Sequence, residues 1–302
     1  MSAYGPPVRT GILGRMSETF IIRKLVNDDA TATISDYGAH VLSYAPAGHE
    51  AVVWQPAAVY LASGCAIRGG VPIIFPWFNT GYDGGRPVNK KPKHGFARAS
   101  FWKFDEANSD RARHVRYTLD SADCEPELLR TIGCPDPRFR AVYDVTVGER
   151  LTMALTVTNT GTQPLVYEAA LHTYFQVGDV ERTVVRGLET AGYLDNARDG
   201  VPYVEASGEA ITFDGMVDRT YEADGAVRIE DAVLGRTIVV EKSGAPQTVV
   251  WNPGEAAGDA IGDMAQGEWR GFVCVEAVAR LDRSIALEPG ATHTLTQTVS
   301  LA

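Results

Sequence analysis

Cysteine is scarce in this chain, and its four residues, Cys65, Cys124, Cys134 and Cys274, stand far apart with no Cys-x-x-Cys pair. That spacing gives neither a zinc knuckle nor a disulfide framework, and it fits a reducing compartment. Apolar runs are short, and none approaches the roughly 18 residues that a membrane-spanning helix needs. The opening Met1-Ser2-Ala3-Tyr4-Gly5-Pro6-Pro7 has no basic segment followed by an apolar one, so a cytoplasmic location is expected. Positive charge is in deficit: 28 Lys and Arg face 38 Asp and Glu, a formal net charge of -10. A chain so charged repels phosphate backbones outside any local basic patch, so neither a nucleic acid nor a membrane is expected as partner. Gly-x-Gly-x-x-Gly and Gly-Lys-Ser/Thr sequences are missing, which removes dinucleotide and P-loop readings. Ser63-Gly64-Cys65 and Gly133-Cys134 lack the surroundings of a nucleophile elbow, which leaves a hydrolase triad without support.

Long amphipathic helices are also missing; in their place, short apolar-polar alternations bounded by turn residues recur from end to end. The chain therefore reads as all-β, an antiparallel β-sandwich, with strands expected at 31–34, 41–44, 115–119, 141–147, 151–158, 237–240 and 248–251. The pair 141–147 and 151–158, joined across Gly148-Glu149-Arg150, predicts a hairpin. Short helices are expected at Pro126–Thr131 and Ala256–Met264. With 302 residues, 45% of them hydrophobic, the chain can bury a large core. Residues 1–302 are expected to form a single domain, with 1–16 as a less ordered N-terminal extension. Residues 79–93, rich in Gly, Pro and Lys, form a candidate functional loop.

Two polar residues stand out inside apolar strand patterns. Along 166–175, alternation puts Val166, Glu168, Ala170, His172 and Tyr174 on one face, and Tyr167, Ala169, Leu171, Thr173 and Phe175 on a more apolar face turned to the core. His172 then looks into a polar cavity, or is a structural histidine held by a hydrogen bond. Glu276 shares a face with Phe272, Cys274 and Val278. Apolar neighbours raise a carboxyl pKa and make a better base for a weakly acidic hydroxyl; the competing reading pairs Glu276 with Arg280 or another cation. Two imidazoles, His94 and His172, and the Glu276 carboxylate can supply an acid, a base and a positioning group, a set suited to proton transfer on a sugar ring.

Arg68 precedes Gly69-Gly70-Val71-Pro72 and an aromatic stretch ending in Pro76-Trp77-Phe78. The glycines would let backbone approach a ligand, the prolines limit the segment to an edge or irregular strand, and Trp77 and Phe78 would cover apolar sugar faces beside Arg68. Between 86 and 98 lie five cations, Arg86, Lys90, Lys91, Lys93 and Arg98, with no acid among them. Arg86, Lys90 and Lys91 read as a solvated loop. Lys93 and Arg98, which flank His94-Gly95-Phe96, would hold an anionic group close to the pocket.

Taken in order, Arg68-Gly69-Gly70-Val71-Pro72, Pro76-Trp77-Phe78, His94-Gly95-Phe96-Ala97-Arg98, Leu171-His172-Thr173-Tyr174-Phe175, Val217-Asp218-Arg219-Thr220-Tyr221, Val250-Trp251-Asn252-Pro253 and Cys274-Val275-Glu276-Ala277 resemble the hexose-6-phosphate mutarotases. These are the glucose-6-phosphate 1-epimerases of the aldose 1-epimerase superfamily. The resemblance covers roughly residues 17–300. It implies a large β-sandwich of the galactose mutarotase type, no cofactor and no metal. It also implies a monomer acting on a small phosphosugar, with interconversion of the α and β anomers of a hexose 6-phosphate. Carried over, His172 is the acid and Glu276 the base, facing one another across a pocket wide enough for a pyranose. Arg68, His94 and Asp218 bind the sugar, and Arg98 is the phosphate-side arginine, helped by Lys93. The chain departs from the family where Lys93 stands in place of a frequent Gln, and where the loop from Tyr82 to Lys91 is enlarged. Three other readings compete: a mutarotase of free hexoses, opposed by the basic segment; a non-catalytic sugar-binding module, opposed by the joint presence of His172 and Glu276; and a metal enzyme using His94, His172 and Glu276, which no His-x-His or His-x-x-Glu spacing supports.

Overall fold

The computed structural model describes residues 19–83 and 86–302; the N-terminal segment 1–16 lies outside the described residues. Two eight-stranded antiparallel sheets dominate. The first runs, in spatial order, through Thr183–Arg186, Val227–Asp231, Arg236–Ser243, Thr292–Leu301, Leu151–Asn159, Phe139–Val147, His114–Asp120 and Lys103–Phe104. The second runs through Tyr203–Val204, Tyr193–Asp195, Val217–Tyr221, Gln247–Asn252, Phe272–Ala279, Ala169–Leu171 and Ile73–Ile74, with Tyr174–Gln176 also paired to Phe272–Ala279. A three-stranded meander, Ile22–Val26, Ala30–Ser35 and His40–Pro46, precedes them. Among the described residues no helix is long and apolar enough to cross a membrane.

The alternating sequences form the first sheet for the expected reason. In Leu151–Asn159 every second side chain is buried and the rest are half-exposed; Leu155 packs between Tyr143 and Leu295 on the neighbouring strands. The hairpin across 148–150 closes in the predicted register, with Val147 opposite Leu151. The inner face meets Val273, Val275 and Ala277 of the second sheet in one continuous apolar core. Phe272–Ala279 is different, because it is buried at every position and so is covered on both faces.

Three expectations need correction. The predicted strand 166–175 is three pieces, Leu165–Tyr167, Ala169–Leu171 and Tyr174–Gln176. The first break is a change of partner, since Leu165–Tyr167 pairs with Ile285–Leu287 and the two later pieces with Phe272–Ala279. Beyond it the register is kept, and Pro76 and Pro72 accept from the amides of Glu168 (3.0 Å) and His172 (3.1 Å) but have no N–H to return. The alternation survives the breaks, for Tyr167, Ala169, Leu171 and Phe175 all lie in the main core. The helix predicted at Ala256–Met264 is only Gly254–Gly258. Glycine weakens a helix, and Gly258 is held where any β-carbon would lie 2.5 Å from the Trp269 side chain. Pro126–Ile132 is helical as expected, with Pro126 in its first turn and Gly133 left-handed at its end. Gly69 and Gly70, finally, admit the chain's own backbone rather than a ligand: a β-carbon on Gly70 would lie 2.4 Å from Val41 O.

Candidate active site

A cavity of about 200 Å³ opens over the outer face of the second sheet. Neighbouring strands supply its floor in register, with Asp218 opposite Trp251, Val249 opposite Glu276, and Tyr174 and Trp251 both opposite Cys274. Cross-strand partners share a face, so Asp218, Trp251, Glu276 and Tyr174 point the same way. His172 joins them at the break between Ala169–Leu171 and Tyr174–Gln176. Behind the break, Thr173 donates through Oγ1 to Gln297 Oε1, and Gln297 Nε2 donates to Val275 O at 3.0 Å, which ties the two catalytic candidates' backbones together. Arg68, Lys93, His94 and Arg98 come from the loops above and complete the lining with Phe78, Asn79, Asn196, Val249 and Arg280.

His172 Nε2 lies 3.4 Å from Glu276 Oε1. The two groups are thus adjacent, which corrects the expectation of a pyranose-wide gap between them. The reason is geometric: Leu171 pairs with Ala277 and Tyr174 with Cys274, so His172 and Glu276 fall opposite one another on neighbouring strands. The imidazole stacks on Tyr174 (5.0 Å between centroids, 12° between planes) and meets the edge of Trp251 at 5.9 Å. His172 Nδ1 and Glu276 Oε2 are buried without a partner among the described residues.

Burial lowers the His172 pKa to about 3, with Arg98, Arg68 and Lys93 adding to the fall. Burial also raises the Glu276 carboxyl well above its ordinary value; the nearby Asp218 adds to the rise, and Arg280 and Arg98 oppose it. Both shifts favour the neutral forms, which differs from the carboxylate and imidazolium that an acid-base pair needs near neutral pH. Desolvation explains the difference, because a neutral acid next to a neutral imidazole is the cheapest way to bury both.

His94 sits at φ +67°, an unfavourable region for a side-chain-bearing residue. The following Gly95 bridges to Phe75 so closely that a β-carbon would lie 2.1 Å from Phe75 O. That turn places the His94 ring against the edge of Phe78 (4.9 Å), where its Nδ1 accepts from the Asn79 amide at 3.2 Å. An accepting Nδ1 leaves the proton on Nε2, and burial together with Arg98 keeps the ring neutral. Arg68 donates to Tyr174 Oη and to Asp263 Oδ1, both at 3.0 Å. Arg98 donates to Lys93 O at 2.8 Å, and burial lowers its guanidinium pKa to about 10. Burial raises the Asp218 carboxyl, and Asn196 Nδ2 steadies it at 3.0 Å from Oδ1.

The structure brings together His172, Glu276, Arg68, His94, Arg98, Asp218 and Lys93. It does not bring Trp77, which is a correction: that ring is 1% exposed in the core, its indole N–H donates to Pro92 O (2.8 Å), and its edge meets Phe96. Phe78, Tyr174 and Trp251 line the cavity beside the two imidazoles. Trp251 was visible as an aromatic residue in an alternating strand, but its face could not be assigned without its neighbours. Arg280 was weighed only as an ion-pair partner for Glu276, and it forms no such pair among the described residues. Arg86 and Lys91 are exposed on the loop, in keeping with a solvated role, whereas Lys90 is half-buried and donates to Ile132 O at 2.9 Å. His94, His172 and Glu276 do not converge as metal ligands, and no group of His, Cys, Asp and Glu able to hold a metal ion occurs among the described residues.

The sequence profile of the aldose 1-epimerase family matches residues 23–300. The chain belongs to the aldose 1-epimerase family. A relative from Cenchrus ciliaris, named provisionally as a glucose-6-phosphate 1-epimerase, is 34% identical over 266 residues, 86% of this chain and 78% of its own. One of the same provisional name from Escherichia coli is 34% identical over 247 residues, 81% of this chain and 78% of its own. The crystal structure of YeaD from Salmonella typhimurium, provisionally a mutarotase, superposes with a TM-score of 0.80 at 30% identity, over 95% of this chain and 92% of that one. A galactose mutarotase-like protein from Lactobacillus casei has a TM-score of 0.70 at 18% identity, over 93% and 100% of the two chains, and shares the fold. The chain is thus an all-β epimerase-family protein with the galactose mutarotase sandwich.

Proposed function

We propose that this epimerase interconverts the α and β anomers of a hexose 6-phosphate, most simply glucose 6-phosphate, with His172 as acid and Glu276 as base. The observation that carries the reading is the 3.4 Å pair on the floor of a cavity whose rim holds Arg68, Lys93 and Arg98. Those three cations add to the effect of burial in lowering the His172 pKa. A phosphate dianion among them would offset their part of the shift and favour the proton on His172 Nε2, with Glu276 ionised. Glu276 next removes the O1 proton while His172 protonates ring O5, the C1–O5 bond breaks, and an open-chain aldehyde forms. Rotation about C1–C2 presents the other carbonyl face. O5 attacks C1, its proton returns to His172, and Glu276 returns a proton to O1, now of inverted configuration. Each proton transfer contributes roughly 10²- to 10⁴-fold. Arg68, His94 and Asp218 hold the sugar, and Phe78 and Trp251 supply its apolar contacts. Four free thiols in the chain fit a reducing, cytoplasmic setting.

The test is an anomerisation assay on freshly dissolved α-glucose 6-phosphate and α-glucose in parallel, for the wild type and Arg98→Ala. A charge-assisted contact to phosphate is worth about 1.5–3 kcal/mol, so the substitution weakens use of the phosphosugar by about 10- to 150-fold and leaves free glucose nearly untouched. Equal proportional losses on both sugars would show that Arg98 supports the pocket and that the phosphate is read elsewhere or not at all.

A further inference from the structure

Arg280 follows the strand Phe272–Ala279 directly and turns its side chain into the same cavity as Glu276, four residues earlier in the chain. It is only 9% exposed. A guanidinium carries five N–H donors and no acceptor, and a buried one is normally matched by a carboxylate or by several oxygens. Here Nη1 donates to Thr220 Oγ1 at 3.1 Å, and Nε is buried with no partner among the described residues. The Phe78 ring lies 4.6 Å from the guanidinium carbon, so one face of the planar fork is fixed against an aromatic wall while the side chain lines the cavity.

A short chain of hydrogen bonds connects this fork to Asp218. Thr220 Oγ1 accepts from Arg280 and also from Asn196 Nδ2 at 3.1 Å, and Asn196 Nδ2 in turn donates to Asp218 Oδ1 at 3.0 Å. Arg280 and Asp218 are close enough for each to shift the other's ionisation. The result is an unfilled donor and an acceptor-only carboxylate held in fixed relation along one wall. Two adjacent ring hydroxyls present the complement, one giving its proton to the carboxylate and the other accepting from the guanidinium.

We propose that Arg280 is a specificity-determining residue that, with Asp218, clamps a vicinal pair of ring hydroxyls on the sugar. The inference rests on the reading of the cavity as a hexose-phosphate site, and it assigns to Arg280 a contact away from both the phosphate and the anomeric carbon. The clamp recognises a diol on the ring, so a sugar lacking one of the two hydroxyls loses the Arg280 contact.

The experiment uses the full chain with Arg280→Met and Arg280→Lys, and reads binding by calorimetry alongside anomerisation. Ligands are glucose, glucose 6-phosphate and its 2-deoxy, 3-deoxy and 4-deoxy analogues. We expect Arg280→Met to weaken glucose 6-phosphate binding by about 10- to 150-fold. For the one analogue that lacks the accepting hydroxyl, the loss falls to about threefold or less, because the contact is already gone. Arg280→Lys keeps the charge without the fork and recovers part of the loss; it also carries the test if the methionine variant fails to fold. Unchanged binding in either folded variant overturns the proposal, as does an equal proportional loss on every deoxy analogue, the mark of a structural role. If the wild type binds glucose as tightly as glucose 6-phosphate while the deoxy pattern holds, the phosphate reading falls and the Arg280 contact stands. If the wild type binds none of these sugars, both fall together.

Discussion

The strands Leu151–Asn159 and Phe272–Ala279 face each other's sheets across one core, yet they obey different rules. The first alternates buried with half-exposed side chains, and what sits at each position follows from which side is wet. The second is buried throughout, so packing alone would fill it with apolar residues; it nevertheless carries Glu276 at 1% exposure with one oxygen unpartnered. A one-sided sheet is a scaffold whose sequence is explained by burial. A charged residue in a sheet covered on both faces is not explained that way, and perturbed ionisation in such a place marks a functional site.

Substitution at the buried pair gives the sharpest contrast. Glu276→Gln and His172→Asn should each lower kcat by at least about 10²-fold while the denaturant midpoint holds or, for Glu276→Gln, rises, since an uncompensated buried carboxyl is costly. Parallel loss of folding and rate would erase the distinction between the two strands. In the scaffold sheet the opposite is expected. Leu155→Ala, buried between Tyr143 and Leu295, should cost about 2–5 kcal/mol of stability. Its kcat should match the wild type at temperatures where the variant is folded, and a fall in kcat there would mean that the sheets are coupled more tightly than their chemistry requires.

A smaller effect comes from pH. His172 has a folded pKa of about 3, below its unfolded value, so the unfolded state binds the extra proton and stability falls as pH drops below about 6.5. Glu276 is raised in the folded state, so it contributes the opposite slope: stability falls as pH rises above its unfolded value of about 4.3. Between about pH 4.5 and 6 both act at once. His172→Asn should therefore flatten the rise of stability with pH by about 1.4 kcal/mol per pH unit, and Glu276→Gln should steepen it by a similar amount. Chemical denaturation across that window measures both slopes, and identical slopes in all three proteins would show that the two groups ionise as they do in water.

The same division decides how much could be read in advance. The hairpin 139–159 was legible because strict alternation defines a strand and its inner face without any partner. His172 and Glu276 were legible as polar residues that break an apolar rhythm. Their adjacency was not, since it depends on the register between two strands far apart in sequence, which sets Leu171 opposite Ala277 and Tyr174 opposite Cys274 and so brings His172 beside Glu276. The face of Trp77 was equally hidden. It lies just beyond a strand of two residues, Ile73–Ile74, too short for alternation to fix which of Trp77 and Phe78 turns inward. Arg280 was hidden for an electrostatic reason: an arginine near a glutamate in sequence invites an ion pair, whereas the fold gives it a threonine and an open cavity.

The 3.4 Å between His172 and Glu276 has one further consequence, for the way the protein meets its solvent. In the proposed cycle every hydrogen lifted from the sugar is handed back before the product leaves, and the two side chains finish as they started. Nothing has to be fetched from or discharged to bulk water. The catalyst is a closed circuit, so its turnover should be indifferent to buffer concentration at fixed pH and should run as readily from the β anomer as from the α, with the equilibrium of the sugar alone deciding the direction.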